Sequence, residues 1–192
     1  MSNLISILKR FNTKERFYLI SYALGNKEFT LSAEFINALN SKLSLNIPTE
    51  NVFVGVDYHL DWVYGSLELY QNNILPDNIN CKNRYDQQGK QMIYGTQEDS
   101  DMVICYRDNQ DYHIIFIEAK GVTSWNSKQL YSKANRLKDI FGDENYKWKN
   151  VCPYFLVISP GDLCQIDDSN FPNWAFKQGK IPQLKLDIPN DL

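Results

Sequence analysis

The chain predicts an α/β protein in which a central mixed β-sheet is flanked by helices. Three observations lead there. Residues 101–107 and 112–120 are apolar runs on either side of Asp108-Asn109-Gln110-Asp111, a segment of turn-forming residues, so they pair as an antiparallel hairpin. A helical pattern follows over 124–141, with Leu130, Ala134, Leu137 and Phe141 as its apolar stripe. Residues 151–158 then form a strand whose run Tyr154-Phe155-Leu156-Val157-Ile158 is apolar on both faces, the character of a central strand. A strand, a crossover helix and a second strand place 151–158 parallel to 112–120.

The remaining elements follow in chain order. Asn12-Thr13-Lys14-Glu15 reads as a capping box with Asn12 as N-cap, opening a helix that runs to about Leu24 and stops at Gly25. A second helix follows Thr30, with Phe35, Ile36, Leu39 and Leu43 on its apolar side. Pro48 separates it from a strand in which Val52, Val54, Val56 and Tyr58 alternate at period two. Residues 60–70 are rich in aromatic and aliphatic side chains and read as a second strand, bent at Gly65. Residues 72–95 are polar and form a long loop carrying Lys82, Arg84 and Lys90, cations that could contact phosphates. Ser124 or Asn126 caps the helix after the hairpin, and Gly142 stops it. Residues 172–178 form a short helix, and 183–188 alternate like an edge strand.

At 192 residues the chain has the size of a single domain with a sizeable core. The N-terminal segment lacks the order of a signal peptide, and no apolar run is long enough for a membrane span, so a cytoplasmic protein without a membrane partner is expected. The cysteines Cys81, Cys105, Cys152 and Cys164 show no metal-finger spacing. His59 and His113, the two histidines, have no second His or Cys at ligand spacing, which argues against zinc and against histidine-based nucleophilic catalysis. No glycine-rich phosphate cradle is present, so no nucleotide cofactor is expected.

Glu118-Ala119-Lys120 closes the apolar run His113-Ile114-Ile115-Phe116-Ile117. A carboxylate and an ammonium two residues apart on a strand share one face. Buried strands seldom end in two charges, because unpaired charge is costly away from water. If Arg107 faces Tyr112 across the hairpin, Asp101 lies opposite Glu118. Two like charges so placed are destabilising unless a cation sits between them. A bulge would shift the register and make Asp99 the candidate instead.

An Asp at the start of one strand, a hydrophobic strand ending in Glu-x-Lys and a following helix resemble the PD-(D/E)xK nuclease superfamily. The resemblance covers residues 98–141 and implies a restriction-endonuclease-like fold, with the chain as one nuclease-like domain over 1–192. It implies that Asp101 and Glu118 hold Mg²⁺ or Mn²⁺, that the carbonyl of Ala119 is a further ligand, and that Lys120 orients or helps deprotonate the attacking water. Ser100 stands where the family name has Pro. By the same resemblance Glu34, on an N-terminal helix, supplies a further metal contact, and Gln129, one turn into the helix after Lys120, faces the site. Lys128, Lys133 and Arg136, with Lys82 and Arg84 from the long loop, would grip nucleic-acid backbone. The implied activity is metal-dependent phosphodiester hydrolysis, with DNA as substrate in a restriction, defence or DNA-processing role. Many relatives act as dimers, which makes a homodimer a candidate assembly.

The net charge of −3 and the sequence pI of about 5.4 weigh against a dedicated nucleic-acid binder. With the high aromatic content of 14%, they motivate a second reading: a catalytically silent nuclease-like fold that binds DNA or another protein.

Overall fold

The structure, a computed structural model, describes residues 3–74, 85–95, 98–121, 127–145, 147–161 and 168–185, with side chains described for all of these except 127–129. The element order is α1 (Leu4–Phe11), α2 (Glu15–Ala23), α3 (Ala33–Leu43), β1 (Phe53–His59), α4 (Leu60–Gln71), β2 (Asp99–Asp108), β3 (Asp111–Ala119), α5 (Ser127–Phe141), β4 (Val151–Ser159) and β5 (Gln183–Lys185), with a single 3-10 turn at Asn173–Ala175. The strands form one five-stranded mixed sheet in the order β1-β2-β3-β4-β5. β1, β2 and β3 are an antiparallel meander, and β3, β4 and β5 run parallel. The α/β class and the helix-flanked mixed sheet read from the sequence are therefore present.

The hairpin has the expected register. Arg107 faces Tyr112, and one further pair, Asp108 with Asp111, tightens the connection to Asn109-Gln110. Asn109 takes a left-handed φ of 53°, a conformation Asn tolerates in tight turns. α5 connects β3 to a parallel β4, the strand-helix-strand unit read from the sequence.

Alternation along each strand divides the core. Val103 and Cys105 of β2, Ile114 and Phe116 of β3, and Phe155 and Val157 of β4 pack against α1, α4 and α5. Ile104, Ile115, Ile117, Leu156 and Ile158 face the other way and pack against Ile36, Leu39 and Leu43 of α3. The result is three layers, helices over both faces of the sheet.

Two expectations are corrected. Residues 60–70 are helix α4, not a strand. Leu60, Val63, Tyr64 and Leu67 recur at the helical i, i+3, i+4, i+7 spacing and are all buried, and the small Gly65 and Ser66 are buried beside them. Asn12 is not the N-cap of α2. It follows α1, a helix not anticipated from the sequence, and α2 starts after Lys14 without a side-chain cap. No described helix is long and apolar enough to cross a membrane.

β1 contains one left-handed residue that shapes the rim of the sheet. Its ladder with β2 runs from Phe53 with Cys105 to Val56 with Met102, skips Asp57, and resumes at Tyr58 with Ser100. Asp57 has a φ of 48°, and Tyr58 is thereby turned onto the α1/α4 face, fully buried, with its hydroxyl donating to the Leu8 carbonyl at 2.9 Å. Its ring folds back over Gly55, where a Cβ would come within 2.6 Å of the ring. Gly55→Ala must displace a ring pinned at both ends, and an expected loss of roughly 1–3 kcal/mol follows from overpacking. Urea unfolding checks this, and an unchanged midpoint would show the ring free to move.

Candidate metal and phosphodiester site

The antiparallel start of the sheet brings the beginning of β2 and the ends of β1, β3 and β4 to one rim. His59 pairs with Asp99, Met102 with Ile117, and Ala119 with Ile158. Open α/β sheets bind ligands beyond the carboxyl ends of their parallel strands. The charged residues singled out from the sequence lie at this rim.

Asp101 and Glu118 are neighbours. The last ladder pair is Met102 with Ile117; beyond it the Ala119 N–H donates to Asp101 Oδ2 at 2.7 Å. Ser100 is buried at this junction, and its hydroxyl lies 3.2 Å from both the Ile117 and the Met102 carbonyls, either of which can accept its one proton. A small hydroxylic side chain therefore does useful bonding at the position where the family name has Pro.

Glu118 is 5% exposed. It lies on the same alternation as Phe116, facing α5, and Lys133 of α5 forms an ion pair with it. Burial pushes its carboxyl up to about 7; the Lys133 ammonium opposes that rise and the Asp101 carboxylate adds to it. Lys120 lies one residue past β3, half-buried, with its backbone N–H donating to the Ile158 carbonyl at 2.8 Å, so the strand alternation carries it to the face of Glu118.

A stability prediction follows from the raised carboxyl. The folded protein holds the Glu118 proton between the group's ordinary value of 4.5 and about 7, where the unfolded chain has released it. The stabilisation is present below pH 4.5 and is lost as pH rises through 7, an effect on the order of 3 kcal/mol. In metal-free buffer, urea midpoints should fall from pH 5 to pH 8 for the native chain. Glu118→Gln should flatten that slope; an equally steep slope in the variant would assign it to another group.

Asp99 is engaged elsewhere. Its Oδ2 accepts from Lys14 Nζ at 2.8 Å, and its Oδ1 lies 2.7 Å from His59 Nδ1. Burial lowers the His59 pKa, with Asp99 acting against the shift. Asp101, rather than Asp99, is thus the carboxylate beside Glu118.

The other predicted residues are placed differently. Glu34 is exposed in the first turn of α3, the helix covering the opposite face of the sheet. Lys133 bonds Glu118 instead of standing free for nucleic acid. Arg136 is a correction: it is 5% exposed, and its guanidinium donates to Asp61 Oδ1 at 2.7 Å and to the Met92 carbonyl. A cation so enclosed is not a surface phosphate grip. Lys82 and Arg84 lie outside the described residues, and the side chains of Lys128 and Gln129 lie outside them as well.

Asp61, Lys14 and His59 were not selected as site residues from the sequence. The one available signal for Asp61 is its position at the start of a helix, which the strand reading of 60–70 concealed. Among the described residues no group of three His, Cys, Asp or Glu side chains is arranged to hold a metal ion. What the rim offers is two carboxylates from adjacent strands with two lysines around them. Comparison with protein-family models, with curated proteins and with solved structures gave no match to this chain.

Proposed function

We propose that the chain is a Mg²⁺- or Mn²⁺-dependent nuclease of the PD-(D/E)xK type, with a restriction-endonuclease-like fold, hydrolysing phosphodiester bonds in DNA. The observation that carries this reading is the buried Glu118 carboxylate beside Asp101 at the carboxyl rim of the sheet, with Lys120 two residues on. The meander, the crossover helix and the parallel fourth strand, an α/β mixed sheet flanked by helices, support the reading.

The donor set suits such a cation. Asp101 and Glu118 supply carboxylate oxygens and Ala119 a carbonyl, all hard ligands. Mg²⁺ is commonly held by one or two carboxylates, with water and substrate phosphate completing the shell, so Glu34 is not required. A buried carboxyl raised to about 7 gains from an adjacent cation, which favours its ionised form. A cation held there would supply Lewis-acid chemistry, polarising a scissile phosphate and lowering the pKa of a coordinated water. The role this leaves to Lys120 is to stabilise charge on the phosphate. Lys133 orients Glu118 and favours its ionised form, against the burial that favours the protonated one.

That same contact favours the second reading, a nuclease-like fold without cleavage, because an internal ammonium already neutralises Glu118. Calorimetric titration with Mn²⁺ separates the two. Binding at millimolar or tighter affinity, abolished in Glu118→Ala and accompanied by Mn²⁺-dependent nicking of plasmid DNA, supports the enzyme. Absence of both binding and nicking overturns it in favour of the silent module.

A further inference from the structure

At the end of the sheet opposite Asp101 and Glu118, the close of α4, the β2–β3 hairpin and the approach to β4 enclose a cleft of about 280 Å³. Tyr70, Asn73, Arg107, Tyr112, Lys149 and Asn150 line it. Small-ligand sites begin at about 300 Å³, so the space suits one compact unit rather than an extended one.

The floor of the cleft is fixed. Tyr112, 3% exposed, faces Arg107 across the hairpin, and the guanidinium carbon lies over its ring, 5.6 Å from the centroid. Arg107 Nε donates to the Asn109 carbonyl at 3.0 Å. Stacking and that bond hold the plane of an otherwise exposed side chain, and the two terminal nitrogens have no partner among the described residues. Tyr70 meets the Tyr112 ring edge-on at 5.1 Å and forms a half-buried wall. The Tyr112 N–H donates to the Asn150 carbonyl at 2.9 Å, which ties Asn150, and Lys149 before it, to the same floor.

The charge on this face is one-sided. Arg107 and Lys149 are exposed and make no ion pair among the described residues. Strand alternation carries the hairpin carboxylates Asp108 and Asp111 to the other face, with Tyr106 and His113; burial lowers the His113 pKa and both carboxylates act against it. At the Tyr70 phenol, whose pKa burial raises, Arg107 opposes the rise more strongly than Asp111 adds to it. The Glu68, Leu69 and Tyr70 carbonyls at the end of α4 accept the Asn72, Ile74 and Asn73 N–H groups, which blunts the negative pole of that helix.

We propose that this cleft binds a nucleotide, with Arg107 and Lys149 holding its phosphate and Tyr70 lying along its base. A fixed guanidinium with two open donors matches two phosphate oxygens, and the third is left for the ammonium. A carboxylate, with two oxygens, would occupy the fork and leave Lys149 unmatched. An aromatic wall beside a cation is the arrangement that accepts a base of any sequence. Side chains rather than backbone N–H groups supply the donors, so no glycine-rich loop is required. A free nucleotide and a nucleotide within a single strand share this chemistry.

Calorimetric titration of the whole chain in EDTA, with thymidine monophosphate, thymidine, inorganic phosphate and a single-stranded oligothymidylate as probes, tests the site. Thymidine monophosphate should bind with a Kd below about 1 mM, and thymidine and phosphate each roughly tenfold more weakly or worse. Arg107→Ala with Lys149→Ala should keep the native circular dichroism, since both side chains are exposed, and weaken the nucleotide by roughly a hundredfold. Arg107→Lys should still weaken it, because the fork is lost. Tyr70→Ala should cost the nucleotide about tenfold and leave phosphate unchanged. Oligothymidylate binding more tightly than the mononucleotide, with the same dependence on Arg107 and Lys149, assigns the site to a strand; the reverse order assigns it to a free nucleotide. Failure of both to bind, or binding indifferent to Arg107→Ala with Lys149→Ala, overturns the proposal. Glu118→Gln should leave all of these affinities in place, so the result is separate from whether Asp101 and Glu118 bind metal.

Discussion

Glu118→Gln and Lys120→Ala are each expected to lower Mg²⁺-supported DNA cleavage by roughly 10²–10³-fold without unfolding the protein. The two should fail for different reasons. Gln keeps the volume of Glu118 on its buried face but removes the charge, so Mn²⁺ affinity should fall together with rate. Lys120→Ala leaves both carboxylates in place, so Mn²⁺ affinity should persist while the rate falls. Asp101→Ala adds a structural cost, because the Ala119 N–H loses its acceptor at the end of β3. Groups that act as one unit are strongly non-additive, so combining Glu118→Gln with Lys120→Ala should be little worse than the more damaging single change. Native-level cleavage surviving in both Asp101→Ala and Lys120→Ala would remove these residues from the chemistry.

The parts of this site legible in the sequence were those fixed by local rules. A short turn between two alternating strands determines a register, and that register places Asp101 beside Glu118 without knowledge of the rest of the chain. The crossover from β3 through α5 to β4 followed from the same kind of rule. Long-range pairing was not legible. Lys133 and Arg136 look like a solvated basic face when α5 is taken alone, yet their carboxylate partners, Glu118 on β3 and Asp61 on α4, arrive from other elements. A helical projection contains a hint: Lys133 follows Leu130 by three residues and Arg136 follows Lys133 by three, so both flank the apolar stripe. α4 departs from the strand reading because its aromatic and aliphatic content suggests a strand, whereas the spacing of Leu60, Val63, Tyr64 and Leu67 is helical. Local propensity lost to periodicity in that segment.

Arg136→Ala is expected to destabilise the fold by about 3–5 kcal/mol, the cost of removing one partner from a buried ion pair. The guanidinium joins three pieces of chain. It bonds Asp61 at the start of α4, bonds the Met92 carbonyl, and lies over the Tyr94 ring with 5.1 Å to the centroid. Asp61 completes the knot by accepting the Tyr94 and Gly95 N–H groups at 2.9 and 2.8 Å. Truncation leaves a largely enclosed carboxylate without its cation and removes the guanidinium that bonds the Met92 carbonyl, Met92 itself being 1% exposed. Arg136→Lys should recover only part of the loss, since an ammonium reproduces neither the planar stack nor the fork of donors. Pairing Arg136→Met with Asp61→Asn should cost less than the two single effects added together, because no uncompensated charge remains. Salt should matter little for so enclosed a pair, in contrast to the exposed Lys9–Glu28 bridge, which is worth under about 1 kcal/mol and is screened. Urea unfolding in low and high salt measures all of these. A surface phosphate contact would behave in the opposite way, weakening DNA binding in Arg136→Ala while leaving the unfolding midpoint where it was, and that result would return Arg136 to the binding face.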